Sequence, residues 1–78
     1  MTKKTLEAFI ASPPERDELV IQLFVKDGGQ WGEIFRQGSD YKLEIYSLPN
    51  GQAWLFEAAE VQNVIENGIK ELRGRLEK

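Results

Sequence analysis

Three short glycine-bearing segments punctuate the middle of the chain: Asp27-Gly28-Gly29-Gln30, Gln37-Gly38-Ser39-Asp40 and Pro49-Asn50-Gly51-Gln52. Each combines residues that accept positive φ or bond their own backbone, so each marks a reversal. Around them lie the runs Leu19 to Lys26, Trp31 to Arg36, Tyr41 to Tyr46 and Ala53 to Phe56, rich in branched and aromatic residues. Short runs of that composition, joined by tight reversals, read as antiparallel strands paired hairpin by hairpin. The expectation is a four-stranded antiparallel meander over residues 19–56, in order 1-2-3-4.

From Glu57 to Lys78 the period changes. Ala58, Val61, Ile65, Ile69, Leu72 and Leu76 form one helical stripe, with Val64 at its shoulder. Glu57 and Glu60 sit in the first turn, and Lys70, Arg73, Arg75 and Lys78 gather at the other end, a distribution that suits the helix dipole. Gly68 lies inside the stripe, where glycine costs about 1 kcal/mol relative to alanine; close approach of the helix to the sheet is the expected reason. At the other terminus Leu6, Phe9 and Ile10 have helical spacing, and Ser12-Pro13-Pro14 stops whatever precedes it. Residues 1–14 are therefore expected to be an arm or short helical segment, capped by Thr2 or Thr5. The fold class is α+β, one domain over 1–78, with the long C-terminal helix packed on one sheet face.

Hairpin register decides which side chains share a face. A Gly38-Ser39 turn sets Ile34 opposite Leu43, Phe35 opposite Lys42, Glu33 opposite Glu44 and Trp31 opposite Tyr46. A Gly28-Gly29 turn sets Leu23 opposite Ile34; moving it to Asp27-Gly28 changes partners but keeps faces. An Asn50-Gly51 turn, which Pro49 could widen, sets Ile45 opposite Phe56. One face then holds Leu19, Ile21, Leu23, Val25, Ile34, Tyr41, Leu43, Ile45, Trp54 and Phe56, and is the core side. Leu43, Ile45, Phe56, Ile65 and Leu72 are expected to be the most buried. The second face holds Val20, Phe24, Trp31, Phe35, Tyr46 and Leu55 among Gln22, Lys26, Glu33, Lys42 and Glu44. A bulged turn would flip a strand between faces.

The chemistry available is narrow. The chain has no Cys and no His, which removes disulfides, thiolate metal sites and the commonest general base. Glu33 opposite Glu44 is a carboxylate pair that could split two pKa values, yet at an open face both should simply meet solvent. Gly28-Gly29 joins two strands, whereas a phosphate loop opens a helix. Ser12, Ser39 and Ser47 have no base at motif spacing, and the Asp and Glu residues lack calcium-loop spacing. No enzyme, cofactor or metal is expected. Net charge is -3, without a basic patch suited to duplex DNA or an anionic membrane. The basic start Met1-Thr2-Lys3-Lys4 is followed by a run, Leu6 to Ala11, that contains Glu7 and is too short for a signal-peptide core. No run approaches transmembrane length. The expectation is a soluble, cytoplasmic protein.

What remains is the second face. Phe24, Trp31, Phe35 and Tyr46 form an aromatic surface of the kind that seats a protein partner or a twin subunit. The N-terminal arm could also fold back over it, or swap onto a second copy. The expected function is a small, non-enzymatic protein-interaction module of inhibitor, immunity or accessory type, acting as a homodimer. Four antiparallel strands followed by one long helix also resemble, in topology, the single-strand-binding transcription coactivator fold. That resemblance implies single-stranded nucleic acid as an alternative ligand, with bases on the same aromatics and phosphates at Lys26, Arg36 and Lys42.

Overall fold

The computed structural model describes residues 5–48 and 50–77; Met1–Lys4, Pro49 and Lys78, with the basic start and the Thr2 cap, lie outside the described residues. Strands β1 (Leu6–Ala11), β2 (Val20–Val25), β3 (Gln30–Gln37) and β4 (Asp40–Ile45) form one antiparallel sheet in order β1-β2-β3-β4. Helix α1 (Ala58–Leu76) follows and packs on β1, β2 and β3.

The expected order and helix are present, but the strands that fill the order are shifted by one. The N-terminal segment is not helical. Leu6 to Ala11 pairs along β2, from Leu6 opposite Val25 to Ala11 opposite Val20. The run satisfies both periods, since Leu6, Ala8 and Ile10 also alternate with Glu7, Phe9 and Ala11. So short a segment cannot offset helix nucleation, whereas the unpaired edge of β2 offers a full ladder. The helix holds the start of this strand. The Glu60 carboxylate accepts the backbone N–H groups of Thr5 and Leu6, at 2.5 and 2.9 Å, and the Thr5 hydroxyl at 2.9 Å.

Ala53 to Phe56, in turn, is extended but unpaired. Alternation survives there: Trp54 and Phe56 turn inward while Leu55 is 95% exposed. The Trp54 Nε1–H donates to the Tyr46 carbonyl at 2.7 Å, and the Trp54 and Phe56 rings stack at 5.4 Å. The reversal before them closes at Gly51 N–H to Leu48 C=O, with Gly51 at φ 78°. It leads to the helix, not to a hairpin strand.

Within the hairpin of β3 and β4 the expected register holds residue for residue: Ile34 opposite Leu43, Phe35 opposite Lys42, Glu33 opposite Glu44. Gly38 takes φ 65° at the first central turn position, the backbone that a type II′ hairpin requires. The β2–β3 connection turns at Lys26-Asp27, with Asp27 at φ 59° and Gly28 N–H bonded to Val25 C=O at 2.8 Å. The ladder then slips. Leu23 faces Gly32 but Phe24 faces Gln30, so Trp31 and Gly32 together oppose one residue. Such a bulge aims both residues to one side. Trp31 therefore leaves the aromatic face and enters the core, 1% exposed, with its ring 4.9 Å from Phe56. Its indole N–H has no hydrogen-bond partner among the described residues.

The core is Leu6, Ile21, Leu23, Trp31, Ile34 and Leu72, ringed by the helix stripe. The helix approaches the sheet closely at Gly68: an added Cβ would stand 3.1 Å from Ile34 Cδ1 and 3.3 Å from Ile21 Cγ2. Of the residues expected to be most buried, Leu72 is fully so, Phe56 and Ile65 are half-buried, and Leu43 and Ile45 are 38% and 60% exposed. With β1 added on one side and no strand beyond β4 among the described residues, the sheet's midline moves to β2 and β3. The helix follows it, leaving β4 at the rim.

Candidate interaction surface

The face away from the helix carries Glu7, Phe9, Gln22, Phe24, Glu33, Phe35, Lys42 and Glu44, by the alternation of the observed register. Phe9 and Phe24 meet edge to face, with centroids 5.7 Å apart, and Phe9 is 51% exposed. The β1–β2 connection, residues 12–19, folds over the other half. From it Arg16 places its guanidinium 3.7 Å from the Phe35 ring centre. The same group donates to Glu33 Oε1 at 2.7 Å and reaches Glu44 Oε1 at 3.3 Å. Glu33 is 3% exposed. The facing carboxylates thus neither meet open solvent together nor stand free for acid–base work. One arginine bridges both and offsets part of the repulsion that like charges directly opposite would otherwise exert. Tyr46 stands beside this cluster. Burial pushes its phenol upward, Glu33 and Glu44 push the same way, and Arg16 opposes them.

Of the aromatics expected on this face, Phe24, Phe35 and Tyr46 remain at the surface, half-buried, and Trp31 does not. The expected cations are not gathered either. Arg36 is bound to Glu18, its Nε 3.1 Å from Oε1 and its Nη2 also in contact. That hydrogen bond, more than the opposing desolvation, raises its pKa. Lys42 is exposed on the outer face, and Lys26 is exposed at the β2–β3 turn.

A second surface includes Leu43 and Ile45, which the sequence places on the core face. Leu43 and Ile45 point to the helix side of β4, yet the helix lies over the other three strands. Leu55 projects from the extended segment that follows. Toward the opposite rim, a cavity of about 480 Å³ opens between β1 and the helix, floored by Leu6, Ala8, Ile21 and Gly68 and edged by Glu60, Asn63, Asn67 and Glu71. It exists because Ala8 and Gly68 are too small to close it. The sequence places Arg16 in a polar link and Phe9 in a helical arm, and no local signal marks either as a surface feature.

No family model, curated protein or solved structure matches the chain. Among the described residues no helix is long and apolar enough to cross a membrane. No group of three or more acidic residues is placed to hold a metal ion there.

Proposed function

We propose that this protein is a small, non-enzymatic protein-interaction module that associates as a homodimer through the sheet surface its own helix leaves open. The observation that carries the reading is the exposure of Leu43 and Ile45 on the helix side of an edge strand. Exposed apolar residues clustered beside an unpaired edge are a liability unless something covers them. The charge distribution favours protein over single-stranded nucleic acid. Glu7, Glu33 and Glu44 lie among the outer-face aromatics, and Arg16 and Arg36 are committed to carboxylates, so little free positive charge is left for phosphates.

The test is the solution mass of the intact chain by light scattering, across a wide protein concentration range, beside Ile45→Lys. A dimer is expected for the wild type and a folded monomer, by circular dichroism, for the variant. A wild type that stays monomeric at the highest concentration removes the reading.

A further inference from the structure

The β4 edge has a definite polarity of hydrogen bonding. Tyr46 N–H bonds the Trp31 carbonyl at 2.9 Å. In an antiparallel ladder successive residues alternate between facing the neighbour and facing away. Glu44 and Lys42 therefore turn their backbone groups toward β3, and Tyr41, Leu43 and Ile45 turn theirs outward. No turn or loop backbone bond among the described residues reaches those outward groups.

The usual protections of an edge are weak here. β4 has no proline, no bulge against β3, and no charged residue on its helix side between Tyr41 and Ile45. Its sequence, Asp40-Tyr41-Lys42-Leu43-Glu44-Ile45, is complementary to its own reverse about Leu43. Placing two copies antiparallel with Leu43 on a twofold axis sets Lys42 opposite Glu44 of the other copy, and Tyr41 opposite Ile45. The outward-facing residues then meet outward-facing residues, so each exchanges backbone hydrogen bonds across the axis. Lys42 and Glu44 fall at the non-hydrogen-bonded positions, where facing side chains are closest. On the helix side, Leu43 and Ile45 of both copies close into one apolar strip. β1, at the opposite edge, has Glu7 as its one charged residue, so a twofold pairing of β1 creates no ion pair.

We infer that β4 pairs antiparallel with β4 of a second copy, in the register that puts Leu43 on the twofold axis and crosses Lys42 with Glu44. This rests on the homodimer reading above and adds the edge, the register and the residues that select the partner.

Charge reversal tests the register. Lys42→Glu places two glutamates against each other across the axis, and Glu44→Lys places two lysines. Each variant alone should dimerise at least about tenfold more weakly than the wild type. Mixed in equal amounts, they restore both crossed pairs, so a heterodimer of near wild-type affinity should form by analytical ultracentrifugation. Circular dichroism of each variant checks the fold, since Glu44 also meets Arg16. If both variants dimerise as the wild type does while Ile45→Lys is monomeric, the interaction reading stands and the register is overturned. If Phe9→Glu abolishes the dimer and the β4 variants do not, the outer face is the interface and the inference is overturned. Weakening of both variants without recovery on mixing also overturns it.

Discussion

Arg16 offers the sharpest test of how the outer face is held. Its guanidinium lies against the Phe35 ring and bridges Glu33 and Glu44. Replacing Arg16 with alanine leaves the Glu33 carboxylate, 4% exposed at the side chain, facing another carboxylate without a counterion. Breaking a buried ion pair from one side costs about 3–5 kcal/mol. The Arg16 side chain is 27% exposed, so water reaches part of the vacated space and the lower end of that range applies. The lost cation–aromatic contact adds about 0.5–1 kcal/mol. A destabilisation of about 3.5–4 kcal/mol follows, equivalent to a fall in Tm of about 14–32 °C for a domain of this size. Denaturant titration at fixed protein concentration is the assay, since association shifts apparent stability. Glu33→Gln in the Arg16→Ala background should recover about 2 kcal/mol, because it removes the stranded charge. A cost below about 1 kcal/mol for Arg16→Ala, or strictly additive single effects, would falsify the view that this arginine neutralises a buried carboxylate.

Leu72 and Leu43 should respond very unequally to truncation. Leu72→Ala opens a cavity at a fully buried site and should cost about 2–5 kcal/mol, while Leu43→Ala, at the rim, should cost under about 1 kcal/mol in dilute monomer; equal costs by thermal melts would contradict the observed placement of the helix. Gly32→Ala should destabilise by about 1–3 kcal/mol, because its Cβ would stand 2.7 Å from the Glu44 carbonyl oxygen, a backbone atom. Gly29→Ala meets nothing within 4 Å and serves as the control; an unchanged melt for Gly32→Ala refutes the close approach. The phenols of Tyr41 and Tyr46 are both raised above 10.0, the first chiefly by its hydrogen bond to Glu77, the second chiefly by burial. Folding thus favours the protonated phenols: the stabilisation is complete below pH 10.0 and is lost as pH rises through the higher folded values. Denaturation followed into the alkaline range should show the wild type losing more stability than the Tyr41→Phe, Tyr46→Phe double variant, and equal losses would argue against it.

Local chemistry settled a good deal. Gly38-Ser39 between two alternating runs leaves one way to pair them, so the β3–β4 register, down to Glu33 opposite Glu44, was legible residue by residue. The stripe from Val61 to Leu76 could only be a helix, and Gly68 within it could be read as a close contact with the sheet. These features depend on neighbours within a few residues of one another. Competition among distant segments decided the rest. Leu6 to Ala11 carries both a helical and a strand period, and only the vacant edge of β2 selects the strand. Ala53 to Phe56 has strand composition, but its inward rings are spent against Trp31 and the Tyr46 carbonyl, so β4 stays open. The bulge at Trp31 took the largest aromatic out of the outer face and into the core. The same substitution of strands at the two rims left β4 meeting the helix end through Tyr41 and exposed Leu43 and Ile45, the surface on which the proposed function rests. Period and turn chemistry fix which residues travel together. Which edge each segment finds depends on the free energy of the whole packed arrangement, and no local window of sequence contains that.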